Sequence, residues 1–203
     1  KLLQLCEDKN IYLLLDQVSV DTVDSKVPPS KIQSDYHRLF RIGVLSKSFG
    51  LAGLRIGWTI NTDPQLLHRV CQIKSYLSIC CSVNDEQMAI IAFRHKQQII
   101  ARNNQITHHN KIIFDQFVKD FFPYIQWHKP EAGLLSLIKI SHSLSPIEFS
   151  QYLAKNHHIL LLPSELFGLK GPYYRLGLGK KVFQKGLEHF HQALQDPVLS
   201  GFI

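Results

Sequence analysis

Residues 44–58 read VLSKSFGLAGLRIGW. Lys47 sits between Ser46 and Ser48, and Arg55 follows beyond Gly50 and Gly53, with apolar segments on either side. A lysine used in covalent catalysis needs a carbonyl partner and a polar site that holds that partner still. A phosphate-bearing ligand needs hydroxyls, backbone N–H groups and a cation within reach. This stretch offers all of them. Composition alone leaves a second reading open, a glycine-rich turn carrying a solvated lysine.

Working back from Lys47, Arg41–Leu45 reads as a strand leading to the lysine, and Ile11–Leu15 (IYLLL) as a short buried parallel strand. The latter ends in Asp16, about thirty residues before Lys47. A carboxylate at the carboxyl end of a buried strand lies where open α/β sheets place their ligand contacts. The alternative for Asp16 is a turn or helix cap. Between the two strands, residues 20–35 are polar and contain Pro28-Pro29, a surface-loop signal. Before them, Lys1–Asn10 reads as the end of an amphipathic helix, so the chain opens mid-pattern as a piece of a longer protein would.

Working forward, Ile56–Ile60 is a strand by its β-branched and aromatic content. Asn61-Thr62-Asp63-Pro64 is a helix-start signal, and Pro64–Leu77 carries apolar residues at helical spacing. Helices are expected over 84–95 and 98–122, the second placing Ile106, Phe114, Phe117 and Phe121 on a core-facing side. Residues 123–127 leave that helix, Leu134–Ile140 is a strand, a helix runs from Ser145-Pro146 to Asn156, and Ile159–Leu162 is a further strand. Tyr173–Leu178 is a strand with Arg175 amid apolar residues. A lone buried guanidinium is costly, so Arg175 requires a partner: a structural salt bridge, or a carboxylate ligand held by its fork. A last helix over 181–194 packs back through Phe183, Leu187, Phe190 and Leu194.

Composition narrows the function. The chain has 203 residues, 45% hydrophobic and 19% charged, with a formal charge of +7 and eleven histidines. A positive balance favours an anionic cofactor or a carboxylate substrate. The basic residues are scattered rather than gathered on one face, which argues against nucleic acid. Cys6, Cys71, Cys80 and Cys81 show no CxxC pair and no metal-ligand spacing, so no metal is expected and the thiols are read as reduced, buried and cytoplasmic. No run approaches the ~20 apolar residues of a membrane span, and no signal peptide is visible.

The order S-K-S-F-G-L-A-G-L-R-I-G-W resembles the cofactor-lysine segment of the class I/II aminotransferases, pyridoxal-phosphate enzymes of fold type I. Ser46–Trp58, Lys74–Glu86 and Leu160–Gly179 (LLLPSELFGLKGPYYRLGLG) look most like the group that includes capreomycidine synthase-like aminotransferases. The match is to that family's carboxyl-terminal half; its glycine-rich phosphate loop, ring-stacking aromatic residue and Asn-Pro segment have no counterpart here. The resemblance implies an α/β chain: the later part of a large, mostly parallel-sheet domain over residues 1–97, then an interdomain helix and small α+β domain over 98–203.

It implies roles as well. Lys47 would form the Schiff base with pyridoxal 5'-phosphate, Ser46 and Arg55 would bind the phosphate, and Asp16 would pair with the pyridine nitrogen. The strand ending in Asp16 continues Gln17-Val18-Ser19 where the family has Glu-x-Tyr, so Ser19 stands where a tyrosine bonds the ring hydroxyl. Val44 replaces a common hydroxyl three residues before the lysine, and Ser164 replaces the glycine of a Pro-Gly turn. Arg175 would hold the substrate carboxylate. The resemblance further implies amino-acid and 2-oxo-acid substrates, a homodimer, and approach of Lys74, Tyr76 and Ser78 to the site near the subunit interface. A lyase or cyclase on the same site, or a degenerate remnant that binds the cofactor without turnover, are the rival readings.

Overall fold

The structure is a computed structural model and describes residues 1–23 and 34–199. The polar segment expected as a loop around Pro28-Pro29 lies outside the described residues. The chain divides into two compact units, Lys1–Asn103 and Asn104–Ile203.

The first unit opens with α1 (Leu2–Asp8) and a three-stranded sheet, β1 (Leu13–Asp16), β2 (Leu39–Val44) and β3 (Gly57–Ile60), in the order β1-β2-β3. β1 runs parallel to β2, with Asp16 opposite Ile42, and β3 turns back antiparallel. β1 starts two residues later than the apolar run. The Ile11 amide closes on the Cys6 carbonyl at 2.8 Å, and the Tyr36 hydroxyl donates to the Ile11 carbonyl at 2.8 Å. Those bonds tie Ile11 to the end of α1 rather than to a ladder. Nor is β1 buried: Leu14 is 65% exposed, because β1 is the edge strand and the face carrying Leu14 is uncovered.

Gly43 on β2 is required by packing. A Cβ there would lie 2.4 Å from the Trp58 indole, which covers the glycine from β3 and meets Phe93 edge-on at 5.3 Å. The helix-start signal is realised in α2 (Pro64–Ser78): Asp63 caps it, accepting from the Gln65 and Leu66 amides. α3 (Val83–Arg94) and α4 (Lys96–Asp120) are separated by His95. The core of this unit is small: Leu45, Phe49, Ala89 and Ala92, with Trp58, Ile99 and Ile100 packed against it. α2 contributes no buried residue.

The second unit begins within α4. Its antiparallel sheet has the order β4-β5-β7-β6, from β4 (Ile125–Trp127), β5 (Leu135–Ile140), β6 (Leu162–Pro163) and β7 (Tyr173–Gly177). β4 falls where the sequence reads only as an exit from the helix. α5 (Pro146–His157) follows a capping box in which Ser145 and Glu148 satisfy each other's backbone. α6 (Phe183–Ala193) closes the unit. Phe114 from α4, Phe149 from α5, Tyr174 from β7 and Phe190 from α6 meet in one buried cluster. The Lys129 ammonium and the Trp127 indole N–H bind the Asp115 carboxylate, holding it below the usual carboxylate range.

The strand expected over Ile159–Leu162 is reduced to two paired residues. The Leu161 carbonyl is taken by the Ser150 hydroxyl at 2.6 Å, and Pro163 has no N–H to extend the ladder. The four cysteines are free thiols, but only Cys6 is buried. Cys71 on α2 and Cys80 just past its end are exposed, so their expected burial is not met. Among the described residues no helix is long and apolar enough to cross a membrane, and no cluster of metal-ligating side chains occurs.

Candidate active site

Lys47 lies in the turn that directly follows β2. The turn is pinned on both sides: Leu45 is fully buried and Phe49 nearly so, packed edge-on against Phe93 at 5.4 Å. Between these anchors Ser46 is half-buried, Lys47 is exposed and Ser48 is buried. The Gly50 amide closes the turn on the Lys47 carbonyl at 3.0 Å, and Gly50 takes φ +69°, a conformation that favours glycine. Two hydrophobic anchors therefore present a lysine that has no ion-pair partner among the described residues.

Arg55 ends the short 3-10 turn Ala52–Leu54 at φ 54° and ψ 27°. That is left-handed backbone for a residue with a Cβ, a conformation costing on the order of 1 kcal/mol or more. Its Nη1 donates to the Ala52 carbonyl at 3.1 Å, and the side chain is exposed.

Asp16 closes β1, the parallel neighbour of the strand that leads to Lys47. Both residues thus belong to the carboxyl ends of adjacent parallel strands, the location where α/β sheets hold ligands. One Asp16 oxygen accepts from the Val18 amide at 3.0 Å, and the residue is exposed. The bend Leu15–Val20 lines an open hollow of about 430 Å³ whose polar groups include Asp16, Gln17 and Ser19. The Ser19 carbonyl accepts from Thr22 Oγ1, and Ser19 is exposed.

Arg175 lies on β7, in the second unit, opposite Leu137 and Leu162. It is half-buried, its guanidinium 5.0 Å above the Phe167 ring. Among the described residues no carboxylate forms an ion pair with it. The preceding residue, Tyr174, is fully buried on the core side, and burial pushes its hydroxyl strongly up. Tyr174 bonds His142, which stacks on Phe149 at 4.2 Å and is held below its ordinary pKa by burial. Ser164 is fully enclosed and its hydroxyl faces the Leu169 and Gly171 carbonyls, each at 3.1 Å. The serine thus closes the turn before β7 from within. A separate cavity of about 250 Å³ in this unit has Arg175 and Lys180 in an otherwise apolar wall.

The sequence did not point to Asn103, Asp21 or Lys96 as residues near the lysine turn. Asn103 donates to the Ser48 carbonyl at 3.1 Å, and Lys96 pairs with Asp21 at 3.1 Å. Lys96 and Asn103 lie on α4 and Asp21 in the turn after β1, all far from Lys47 in the chain, so no local pattern links them to it.

The donor set fits a pyridine ring bearing a phosphate and an aldehyde. The first unit supplies a primary amine, hydroxyls flanking it, a guanidinium eight residues further on, and a carboxylate at the neighbouring strand end. Solved structures give the class. A PLP-dependent aminotransferase from Streptococcus suis 89-1591 superposes with a TM-score of 0.85 at 29% identity, covering 96% of this chain and 51% of that one. The PLP-dependent cyclase OrfR does so at 0.84 and 24% identity, over 96% and 53%. The fold is that of the fold type I pyridoxal-phosphate enzymes, whose cofactor is pyridoxal phosphate.

The chain belongs to the class I and II aminotransferase family, whose sequence model matches residues 1–193. Capreomycidine synthase of Streptomyces vinaceus is 26% identical over 168 residues, which are 83% of this chain and 43% of that protein. The chain spans about half the length of the relatives it matches.

Proposed function

We propose that this chain carries the lysine, phosphate and carboxylate side of an aminotransferase site that moves an amino group between an amino acid and a 2-oxo acid. The observation that carries the reading is the pairing of strand ends. Lys47, anchored by Leu45 and Phe49, follows β2, and Asp16 closes β2's parallel neighbour.

When bound, pyridoxal phosphate supplies the aldehyde that condenses with amines and the ring that accepts the electron pair released at the substrate Cα. Lys47 would hold the cofactor through its amine, and its free amine would remove and return the substrate Cα proton as general base and acid. Asp16 keeps a proton on the pyridine nitrogen, Ser46 and Arg55 grip the phosphate, and Arg175 forks the substrate carboxylate. Ser19 gives the ring hydroxyl a shorter and less acidic partner than tyrosine does. A homodimer acting in the cytoplasm completes the proposal, carried over from the family.

A lyase or cyclase on the same site has support in the likeness to OrfR, a cyclase. A remnant without turnover has support in Gln17, Ser19 and Val44, each a departure from the aminotransferase pattern. The test is incubation of the protein with pyridoxal phosphate, a panel of amino acids and a 2-oxo acid acceptor. Conversion of the acceptor into its amino acid supports the transferase. Loss of the donor with the acceptor untouched supports a lyase or cyclase. Cofactor bound with neither change supports a remnant.

A further inference from the structure

The lysine turn is braced from outside its own strand. The backbone carbonyl of Ser48, directly after Lys47, accepts a hydrogen bond from Asn103 Nδ2 at 3.1 Å. The Asn103 carbonyl oxygen in turn accepts from Arg102 Nη1 at 3.0 Å. A side-chain amide offers a donor end and an acceptor end, and the arginine fixes which end faces the turn. Gly50 is what admits this approach: a Cβ there would sit 3.3 Å from Asn103 Nδ2. The buried Ser48 hydroxyl reaches the Val18 carbonyl at 3.5 Å, in the bend that follows Asp16. The same helix ties that bend a second time, through Lys96 and Asp21 at 3.1 Å.

We infer that Asn103, oriented by Arg102, is a positioning residue for Lys47, acting through the Ser48 carbonyl. The inference rests on the reading of Lys47 as the cofactor lysine. A lysine side chain has four rotatable methylenes, so its reach is useful only when its backbone is fixed. Leu45 and Phe49 fix the two ends of the turn by burial. The amide of Asn103 fixes the peptide between them by a directional bond. Ser48 then passes that constraint to the bend carrying Asp16.

The experiment uses the 203-residue chain, the Asn103→Asp and Asn103→His variants, and Gln105→Glu as a charge control on α4. Each is mixed with pyridoxal phosphate, reduced with borohydride and mapped by peptide mass spectrometry. Asn103→Asp keeps the bond from Arg102 but faces the Ser48 carbonyl with an oxygen that has no hydrogen to donate. The label on Lys47, relative to that on the other lysines, is expected to fall about fivefold, the effect of one neutral hydrogen bond. The melting temperature falls by no more than about 4 °C, the effect of one such bond in a chain of this size, and the Gly50 and Leu51 amides exchange faster. Asn103→His, which restores an N–H donor, is expected to recover the label, and Gln105→Glu to behave as the unaltered chain.

An unaltered chain labelled on Lys47 together with an equally labelled Asn103→Asp overturns the positioning role and leaves the lysine reading intact. Equal loss of label at every lysine with a melting temperature lowered beyond that overturns it in favour of a plain folding role. An unaltered chain with no preference for Lys47 overturns the lysine reading and this inference with it.

Discussion

Arg55 joins chemistry to backbone strain. Its φ of 54° is a conformation that glycine adopts freely and arginine does not. Arg55→Gly is therefore expected to leave the fold as stable or more stable, by up to about 1 kcal/mol, while weakening cofactor retention. Thermal melts and a pyridoxal phosphate titration on the same variant check the two halves, and a clear drop in stability would contradict the first. His142 gives a pH prediction. Burial lowers its pKa from the ordinary 6.5, so the folded chain holds it neutral while the unfolded chain takes up a proton below that value. Its contribution to stability is fully present above pH 6.5 and is lost as pH falls from there through the lowered folded value. Melting temperatures compared between about pH 7.5 and 5.5 should fall more steeply for the unaltered chain than for His142→Gln.

Single elements separate what the sequence could disclose from what it could not. Asn61-Thr62-Asp63-Pro64 and Ser145-Pro146 mark α2 and α5 because a cap is a local device, written in adjacent residues. Ile159–Leu162 misled because an apolar run reports burial, not pairing. Leu161 is buried there, but its carbonyl belongs to Ser150. β1 was legible as a strand and its neighbour as parallel, yet the exposure of Leu14 depends on what stands beside the sheet, which no local pattern records. Nothing adjacent in the chain explains Gly43; its reason is the Trp58 ring lying over it. Gly43→Ala is expected to destabilise the chain by about 1–3 kcal/mol, as forced overpacking does. Denaturant unfolding measures it, and Gly43→Ala with Trp58→Leu should recover part of the loss.

Across the whole chain the two units differ in how much core they own. Among the described residues, seventeen form one buried cluster in the second unit, against four in the first. Local stability follows buried apolar packing. Amide exchange should therefore be slowest in β5, β7 and the part of α4 around Phe114, and faster throughout α2; the reverse order would contradict this account of the cores. Recognition of the site ran opposite to the distribution of stability. The motif of residues 44–58 lies in the unit with the smaller core, and it was readable because its chemistry is consecutive in the chain. Asn103, Lys96 and Asp21 were not readable, since their relation to Lys47 exists only after folding. The central claim is that Lys47 is the residue that captures pyridoxal phosphate. The measurement that tests it most directly is the visible absorbance of the protein with added pyridoxal phosphate, followed by borohydride reduction and peptide mapping, beside Lys47→Ala. A reducible band that maps to Lys47 and is absent from Lys47→Ala is the predicted result. A band that persists unchanged in Lys47→Ala, or a label spread evenly over the lysines, would contradict it.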